Sequence, residues 1–368
     1  MNSGVKFGAL CALMLGLMSC QSEQKPMTEQ EAQRVKQFTA QMSPRCVGRY
    51  IVDVPKAFVL NEESAAHVDD VTITIEPRSK GQFEIEFEAR TKYLQTRMLP
   101  GRDKNRPHLK TTHQLPGGAL GSVFDRSESE ASTSRLGRTL ELLAWRDGFA
   151  IKAEIKATDI SFPEDATDPG QLRTNVEAKL ATLLGVYSRL RGRSQDELPS
   201  QPGLCIVNGF VAGPATDTEA VQTAFHLEGT PDVYFNLFTQ TEVKESTTML
   251  ERSGGIESKM AGAGIKTVRK GWRRIHEHAY EEWLVRGPTV DRVPGHEFTL
   301  HGNEKDGGAD KPMLDLSLYN GYRIPAAERT PEQSAQLVDL TKASLSEAEA
   351  VGIWDAVTAT VRPWQAGR

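Results

Sequence analysis

Histidine and acidic residues are concentrated between residues 276 and 301, where their chemistry would suit a metal ion. The group comprises His276, His278, Glu281, Glu282, His296, Glu297 and His301. His276 and His278 would share one face of a strand, which a metal could use. His296 and His301 are five residues apart and would point to different faces of a helix or a strand, unlike the H-E-x-x-H pair of zinc enzymes. We therefore interpret the group as exposed polar positions on a sheet and predict no metal site and no cofactor.

The familiar patterns of catalytic residues are missing from the sequence. It contains no G-x-S-x-G nucleophile elbow, no P-loop and no G-x-G-x-x-G after a strand. Serine, histidine and aspartate residues occur, but nothing in their spacing brings three of them together. The sequence therefore predicts a protein that is not an enzyme and has no catalytic residues.

Cys20 is the residue with the most specific predicted chemistry. The apolar run from Phe7 to Met18 is too short to span a bilayer and predicts a signal peptide over residues 1–19. Its end, Leu17-Met18-Ser19-Cys20, resembles the lipobox of bacterial lipoproteins, in which the cysteine is lipidated, although a residue smaller than methionine is usual before the serine. An ordinary signal peptide cut near Cys20 is the alternative. Because Gln21 is not aspartate, the resemblance to lipoproteins implies an anchor in the outer membrane rather than the inner membrane, and the chain is expected to work in the periplasm.

The rest of the composition is typical of a soluble protein carried by that anchor. At 368 residues, two domains are expected. Removing residues 1–19 removes one charged residue, Lys6, and leaves 43 basic and 49 acidic residues, a net charge of −6. We predict no nucleic-acid partner, because phosphates favour a basic surface. No later stretch is apolar enough for a transmembrane helix. Residues 20–43 are predicted to be a polar tether with a short helix near Thr28–Gln41.

Cys46 and Cys205 remain in the mature chain and could form a disulfide. An oxidising compartment favours pairing, whereas buried unpaired thiols behave as small apolar residues. The two cysteines open similar segments, CVGRYIVDVP and CIVNGFVAGP, which places them at equivalent positions in two separate sheets. Equivalent positions need not touch, and a disulfide requires Cα atoms within about 7 Å. We therefore favour unpaired thiols and keep the disulfide as the alternative.

The two cysteine segments begin a weak internal repeat. Phe83–Tyr93 alternates apolar and polar residues as a half-buried strand does, and Val233–Val243 is a comparable run in the second half. Each half ends in a predicted helix, over Gln171–Leu190 and over Glu332–Thr360, the second broken or bent near Gly352. The polar segment Arg191–Gly203 between them contains two prolines and is typical of a linker.

The remaining strands are predicted to be joined locally, without an alternating strand–helix pattern. Thr139–Ile155 is typical of a hairpin turned at Arg146-Asp147-Gly148, and Trp272–Gly287 and Met313–Gly321 are further strand candidates. This order favours an α+β fold with two similar domains, each an antiparallel sheet packed with helices.

The domain division follows from these elements. The N-terminal domain is predicted over residues 44–192 and the C-terminal domain over residues 204–364, with the linker at residues 193–203. Since each half has its own strands and closing helix, each is expected to fold alone.

Two basic clusters stand out from the acidic background and are candidates for partner binding. The first comprises Arg102, Lys104, Arg106 and Lys110; the second comprises Arg269, Lys270, Arg273 and Arg274 around Trp272. Arginine and tryptophan are enriched at protein interfaces, where both bury large areas. A solvated charged face, or attraction to anionic lipid head groups near the anchor, is the alternative.

Three segments spread over both halves resemble a known family. They are CVGRYIVDVP (Cys46–Pro55), GLCIVNGFVAGP (Gly203–Pro214) and EEWLVRGPTVDRVPGHEFTLHGNE (Glu281–Glu304). From about Cys46 to Trp364 the chain is similar to the immunity proteins that accompany type VI secretion phospholipase effectors, specifically the two-domain family paired with the class-four lipase effectors. The resemblance implies a protein whose two domains grip a toxic lipase in the periplasm and block it, without catalytic residues of its own.

Two other classes of function compete with this hypothesis. An envelope lipoprotein could act as an assembly or scaffold factor, or could bind a small ligand between its domains. A periplasmic hydrolase has only the histidine group in its favour.

Overall fold

The computed structural model describes residues 26–61, 64–100, 107–131, 135–161, 173–323 and 340–364. Within these ranges the chain forms five α-helices: α1 (Glu29–Thr39), α2 (Lys80–Thr96), α3 (Val176–Arg189), α4 (Met249–Gly262) and α5 (Glu347–Thr358). None of the helices in the described ranges has the length and hydropathy needed to cross a membrane.

Nineteen strands are formed in the same part of the chain. The first half contributes β1 (Met42–Val47), β2 (Tyr50–Pro55), β3 (Phe58–Leu60), β4 (Ala66–Val68), β5 (Val71–Pro77), β6 (Leu109–Gln114), β7 (Gly121–Ser127), β8 (Gly137–Arg146), β9 (Phe149–Thr158) and β10 (Leu190–Gly192). The second half contributes β11 (Gly203–Ile206), β12 (Gly209–Ala212), β13 (Glu219–Leu227), β14 (Val233–Gln240), β15 (Lys266–Ile275), β16 (His278–Pro288), β17 (Pro294–Gly302), β18 (Met313–Asn320) and β19 (Arg362–Pro363).

Both halves contribute to one continuous antiparallel sheet. Its strand order is β15-β16-β17-β18-β14-β13-β4-β5-β9-β8-β7-β6, and β3 pairs with β13 beside β4. The halves meet where β4 pairs with β13 and His67 lies opposite Ala220. The predicted α+β fold with antiparallel strands is confirmed. The prediction that each half has a separate sheet is wrong, because the two sheets join edge to edge at this seam.

The halves repeat the same order of elements. β4 and β5 lead into α2, then β6 to β9 and α3, just as β13 and β14 lead into α4, then β15 to β18 and α5. The strand order is mirrored on either side of the seam. Since the corresponding strands β4 and β13 pair with each other antiparallel, an approximate twofold axis normal to the sheet relates the halves.

Two small sheets near the seam combine strands from both halves. β10, at the end of the first half, pairs with β12, which also pairs with β11. β19, at the end of the second half, pairs with β2, next to β1. Each half therefore completes the small sheet of the other, which contradicts the prediction that each half contains all of its own strands.

Cys46 and Cys205 are joined by a disulfide, with their Cα atoms 5.7 Å apart. Gly48 and Cys205 also exchange two backbone hydrogen bonds, of 2.8 and 2.9 Å. The preference for unpaired thiols is therefore wrong. Residues at equivalent positions of a repeat contact each other when they lie close to the axis that relates the halves. The prediction of two separate sheets did not include such an axis. Phe210 and Trp364 pack around the disulfide.

The segment Arg191–Gly203 is more ordered than a linker. Its first two residues belong to β10, and the Arg193 side chain is 1% exposed. The Arg193 guanidinium donates hydrogen bonds to the carbonyl oxygens of Glu197 at 2.7 Å and Gly209 at 3.2 Å. The segment is therefore polar for two reasons. It contains exposed turns, and it contains a buried arginine whose guanidinium donates hydrogen bonds to backbone carbonyl oxygens.

The continuous sheet has two distinct faces. The core face is covered by α3, which buries Leu183 and Val186, and by α5, which buries Ile353 and Trp354. The opposite face, called the α2/α4 face below, is the one that carries Glu141, Glu281 and every second residue along the neighbouring strands. Arg90 of α2 donates to Glu141 at 2.7 and 2.8 Å, and the backbone N–H of Leu250 in α4 donates to Glu281 at 2.7 Å.

Helix α2 replaces the strand predicted over Phe83–Tyr93. Ser79 caps the helix, and the Ser79 and Gln82 side chains form a capping box. Phe83, Phe87 and Leu94 are spaced four and seven residues apart, so they lie on one face of a helix. The Phe87 ring lies 5.8 Å from that of Phe124 on β7. The alternating pattern was misleading because Ile85, which it placed in a core, is 71% exposed.

Several other predicted elements are confirmed. The hairpin of β8 and β9 turns at Asp147 and Gly148, whose φ angles are +50° and +89°. The runs Val233–Val243 and Met313–Gly321 contain β14 and β18. The helix predicted over Gln171–Leu190 is α3, but it begins at Val176: residues 173–175 are not helical, and residues 171 and 172 lie outside the described residues.

Two element predictions need correction. Trp272–Gly287 is two strands, β15 and β16, because the chain turns at His276 with a φ of +52°. Of the helix predicted over Glu332–Thr360, residues 332–339 lie outside the described residues. From residue 340 onward the helix begins at Glu347, after the capping residue Ser346, and ends at Thr358. α5 is continuous through Gly352.

The predicted tether is in part a docked helix. α1 confirms the helix expected near Thr28–Gln41, and its residues Val35 and Phe38 pack against the core. Arg34 pairs with Glu349 of α5 at 3.1 Å. A Cβ at Gly352 would lie 2.9 Å from Val35, so glycine permits this close approach of α1 to α5. Residues 20–25 of the predicted tether lie outside the described residues.

Candidate partner-binding surface

The histidine and acidic residues between residues 276 and 301 lie at several separate positions in the structure. His276 and His278 are exposed at the turn between β15 and β16. Glu281 and Glu282 follow each other in β16 and therefore point to opposite faces. In the described ranges, no cluster of three or more histidine, cysteine or acidic residues is arranged to hold a metal ion.

Two histidines of this group, His296 and His301, have side chains that are only 11% and 14% exposed, which contradicts their interpretation as exposed positions. His296 lies on the core face, and its Nδ1 is 2.9 Å from the Asn320 side-chain nitrogen. Burial and the nearby Arg286 lower the pKa of His296 to about 4. Glu297, next in the strand, is half-buried, and burial raises its pKa despite a hydrogen bond from Tyr322 at 3.2 Å. These residues pack and stabilise strands β16 to β18.

His301 lies between two carboxylates on the α2/α4 face. Its ring is 2.9 Å from Glu304 and 3.3 Å from Asp315. Burial alone would lower the pKa of His301, but the hydrogen bonds and charges of Asp315 and Glu304 outweigh it and raise the pKa to about 9. Burial opposes the ionisation of Glu304, yet His301 and Arg252 lower its pKa to about 2. His301 is therefore protonated at neutral pH and paired.

This network holds the beginning of α4 against the sheet. The backbone N–H groups of Met249 and Leu250 donate to Glu304 at 2.6 Å and to Glu281 at 2.7 Å. The first N–H groups of a helix have no partner within the helix, and its N-terminus favours negative charge. Two buried carboxylates, Glu281 on β16 and Glu304 in the turn after β17, satisfy both requirements, so these acidic residues position α4.

Arg269 and Arg273 of the second basic cluster are committed to internal ion pairs. Arg269 donates to Glu282 at 2.6 and 3.0 Å and to Asp355 at 2.5 and 3.2 Å. Arg273 donates to Glu282 at 2.7 Å and to Asp355 at 2.9 Å. Glu282 also accepts a hydrogen bond from Trp354 at 2.8 Å. These two arginines therefore tie the β15–β16 hairpin to α5.

Trp272 and Arg274 lie on the other side of the same strand. In the strand register of the hairpin, Trp272 lies opposite Glu281, so its side chain points to the α2/α4 face. Trp272 is 66% exposed. Arg274 is two residues further along the same face and is exposed. Lys270, the preceding residue on this face, pairs with Glu257 of α4 at 2.7 Å. Of the second cluster, Trp272 and Arg274 are thus exposed to solvent on the α2/α4 face.

Of the first basic cluster, Lys110 alone lies within the described residues. Arg102, Lys104 and Arg106 lie outside the described residues. Lys110, at the start of β6, forms an ion pair with Asp159 and donates to Ser161 at 2.9 Å. Its charge is therefore used within the chain. The structure does not bring the two basic clusters together at the described residues, since β6 and β15 form opposite edges of the sheet.

Exposed apolar side chains are concentrated on the α2/α4 side. Nine large apolar residues are exposed among the described residues, and five of them lie on this face or on its helices: Val59, Ile85, Tyr93, Ile256 and Trp272. Large exposed apolar side chains on one face of a sheet are candidates for an interaction surface, although α2 and α4 lie over opposite ends of this sheet. Sequence reasoning missed four of the five. Recognition of the α2 capping box would have identified Ile85 and Tyr93 as helix-surface residues.

A polar cavity of about 550 Å³ opens at the seam between the halves. Four of its charged lining residues, Asp70, Lys156, Lys179 and Glu219, are paired within the chain. Lys179 lies 2.9 Å from Asp70, Lys156 lies 3.2 Å from Glu128, and Glu219 accepts two hydrogen bonds of 2.7 Å from Arg49. The cavity therefore offers polar contacts on both sides of the seam and no activated nucleophile among its lining residues.

Models of a known family match both halves of the chain. The model of the Tle cognate immunity protein 4 N-terminal domain matches residues 43–193, and that of the C-terminal domain matches residues 197–365. A comparison with curated protein sequences finds no match.

Solved structures share the fold. The apo structure of the immunity protein TplEi of the type VI secretion system from Pseudomonas aeruginosa superposes with a TM-score of 0.65 at 19% identity. A Tle4–Tli4 complex gives 0.67 at 19% identity, and TplEi complexed with an "L" peptide gives 0.61 at 18%. Each match covers 88% of this chain and 98% of the other. At these identities the likeness shows a common fold.

Proposed function

This chain belongs to the Tle cognate immunity protein 4 family, and we propose that it binds and inhibits a type VI secretion phospholipase effector of the Tle class. The observation that carries the proposal is the match of the two domain models to both halves, residues 43–193 and 197–365. A protein of the same fold has been solved as a Tle4–Tli4 complex. The partner is therefore expected to be the effector protein, and the outcome is protection of the cell from its own or a sibling's toxin.

The fold is suited to inhibition by stoichiometric binding. A stable inhibitory interface buries about 800 Å² on each partner and relies on a preformed surface with a few anchor residues. The continuous sheet provides such a surface because both halves are joined through β4 and β13 and through the Cys46–Cys205 disulfide. We place the effector on the α2/α4 face, where five exposed apolar residues lie. Such inhibition requires no turnover by the chain itself.

The location of this binding is proposed to be the periplasm, with a lipid on Cys20 and the outer membrane as the anchoring membrane. The apolar run that ends in Leu17-Met18-Ser19-Cys20 supports export and lipidation. The buried Cys46–Cys205 disulfide supports an oxidising compartment. Multiple acyl chains, as in lipoproteins, would hold the chain more firmly than the marginal binding of a single chain.

The proposal is tested by survival of cells that carry the toxin in their periplasm. Each Tle-type lipase effector encoded by the same strain is directed to the periplasm of a host, with and without this protein. Survival is expected to be restored for one effector, and the purified pair is expected to form a one-to-one complex. Equal killing with and without the protein, for every such effector, would contradict the immunity function.

A further inference from the structure

We propose that Trp272 and Arg274 form an anchor that inserts into a pocket on the effector, with the indole buried and the guanidinium paired to an effector carboxylate. The inference rests on the proposed function and specifies which residues of the α2/α4 face provide binding energy. It commits to a protein partner, because tryptophan and arginine are the residues most enriched among the dominant contacts of protein interfaces.

The position of Trp272 favours such a role. Trp272 is 66% exposed, whereas the chain's other described tryptophans, Trp145, Trp283, Trp354 and Trp364, are buried or half-buried. The indole N–H of Trp283 donates to Thr267 at 3.1 Å, and that of Trp354 to Glu282. Trp272 makes no comparable hydrogen bond or ring contact with the described residues. A large aromatic side chain on a rigid strand loses little conformational entropy on binding, which favours it as an anchor.

The charge of Arg274 is not used by an ion pair within the described residues. Its neighbours Arg269, Lys270 and Arg273 each form internal ion pairs. Arg274 is exposed on the same face as Trp272 and forms no ion pair with any described residue. The surrounding chain is acidic overall, with a net charge of −5. An arginine that has no ion pair in the described part of the chain, beside an exposed indole, therefore fits a partner that presents a carboxylate next to an apolar pocket.

Anionic lipid is the less suitable occupant. A basic residue near an anionic membrane surface contributes about 1 kcal/mol, so stable attachment requires several of them. The turn beyond Arg274 contains the acidic residue Glu277, and the chain as a whole would be repelled by anionic lipid. A single protein pocket, in contrast, can bury one indole and pair one guanidinium at the same time.

The experiment measures the dissociation constant of the mature chain and an inactive form of its effector by calorimetry. Trp272→Ala and Arg274→Glu are each expected to weaken binding by about 30-fold or more, as loss of a dominant interface contact does. Trp272→Phe is expected to retain part of the affinity. Because both side chains are exposed, the thermal unfolding midpoints of the variants should match that of the parent chain.

Two matched variants control for nonspecific effects. Lys266→Glu makes the same charge change as Arg274→Glu at the other end of β15, where Lys266 is also exposed. Val290→Ala removes an apolar side chain that is 83% exposed in the turn between β16 and β17. Both controls are expected to change the dissociation constant by less than about threefold.

The outcomes separate the inference from the proposed function. If the parent chain binds its effector and Trp272→Ala binds equally well, the anchor is refuted and the immunity function stands. If the parent chain binds no effector, the proposed function fails and the anchor fails with it. If Trp272→Ala keeps effector binding but loses binding to vesicles of phosphatidylethanolamine and phosphatidylglycerol, the surface contacts lipid and the inference is wrong.

Discussion

Cys46 and Cys205 are equivalent residues of two repeated halves, and they are bonded to each other. Their Cα atoms are 5.7 Å apart although 159 residues separate them in the chain. The bond lies where Gly48 and Cys205 exchange backbone hydrogen bonds and where each half adds a strand to the other. A single covalent bond near the axis of the repeat therefore joins both halves at the place where they are interlocked.

Removal of this disulfide is expected to destabilise the whole chain. Cys46→Ala, Cys205→Ala and the double substitution should each lower the free energy of unfolding by about 2–5 kcal/mol, because the unfolded chain gains the freedom of a long closed loop. The measurement is urea denaturation of the mature protein with and without reductant. The double variant should be no less stable than either single variant. A parent chain whose stability is unchanged by reductant would show that the bond contributes nothing.

Separation of the halves is expected to unfold both of them. Fragments 26–200 and 201–364 each lack the strand that completes their small sheet, since β10 pairs with β12 and β19 with β2. We therefore expect neither fragment alone to show a cooperative thermal transition, and the mixed fragments to recover one after oxidation.

A chain nicked after residue 200 with its disulfide intact provides the control, because it keeps every strand in place. A cooperative transition of either fragment alone would restore the earlier expectation of independent domains.

Replacement of Cys20 is expected to release the protein from membranes. Cys20→Ser should abolish incorporation of a fatty-acid analogue, because the thiol is the group that the lipobox resemblance predicts to be acylated. Cys11→Ser, a substitution within the same apolar run, should leave labelling unchanged. The measurement is labelling together with membrane fractionation of cells. Continued membrane association of Cys20→Ser would remove the lipoprotein hypothesis.

The stability of the chain is expected to fall between about pH 6.5 and pH 9 because of His301. Its pKa is raised to about 9 in the folded chain, above the usual 6.5, by Asp315 and Glu304, which outweigh burial. A raised pKa contributes stability that is full below the unfolded value and is lost as the pH rises through the folded value. The loss should be about 2–3 kcal/mol.

Comparison with His301→Gln isolates this contribution. The difference in unfolding free energy between the parent and the variant should shrink as the pH rises from 6.5 to 9. His278→Gln, at an exposed position two residues from the turn residue His276, should show no such change. A difference that is constant over this range would mean that His301 is not the titrating group.

The sequence predicts local elements of this chain better than the contacts between its halves. The β8–β9 hairpin, β14 and the helices α1 and α3 follow from turn residues and periodicity, which act over a few residues. The joined sheet, the exchanged strands and the disulfide depend on a twofold relationship between segments more than 150 residues apart. Such a relationship leaves no periodic signal in either segment, which is why the cysteines were assigned to separate sheets.

The candidate partner-binding surface could also be predicted only in part from the sequence. Composition identified the cluster around Trp272, but it did not distinguish arginines that point to the core face from those that point to the α2/α4 face. That distinction depends on strand alternation and on Glu282 and Asp355, which come from β16 and α5. The exposed residues of α2 were missed for a different reason, since an alternating apolar pattern suggested a strand.

Charge reversal at Arg273 is therefore expected to damage the fold, whereas reversal at Arg274 leaves it intact. In Arg273→Glu a new carboxylate would stand beside Glu282, which is 4% exposed, and beside Asp355. Arg269 would then be the one remaining described cation beside three carboxylates in a largely buried site, so we expect a loss of about 3–5 kcal/mol in unfolding free energy. Arg274→Glu should change the unfolding free energy by less than about 0.5 kcal/mol.

Urea denaturation of both variants measures this contrast. Arg273→Lys should recover part of the loss because it retains the charge but not the forked geometry. Equal stability of the two charge-reversed variants would show that the network with Glu282 and Asp355 does not hold the β15–β16 hairpin to α5.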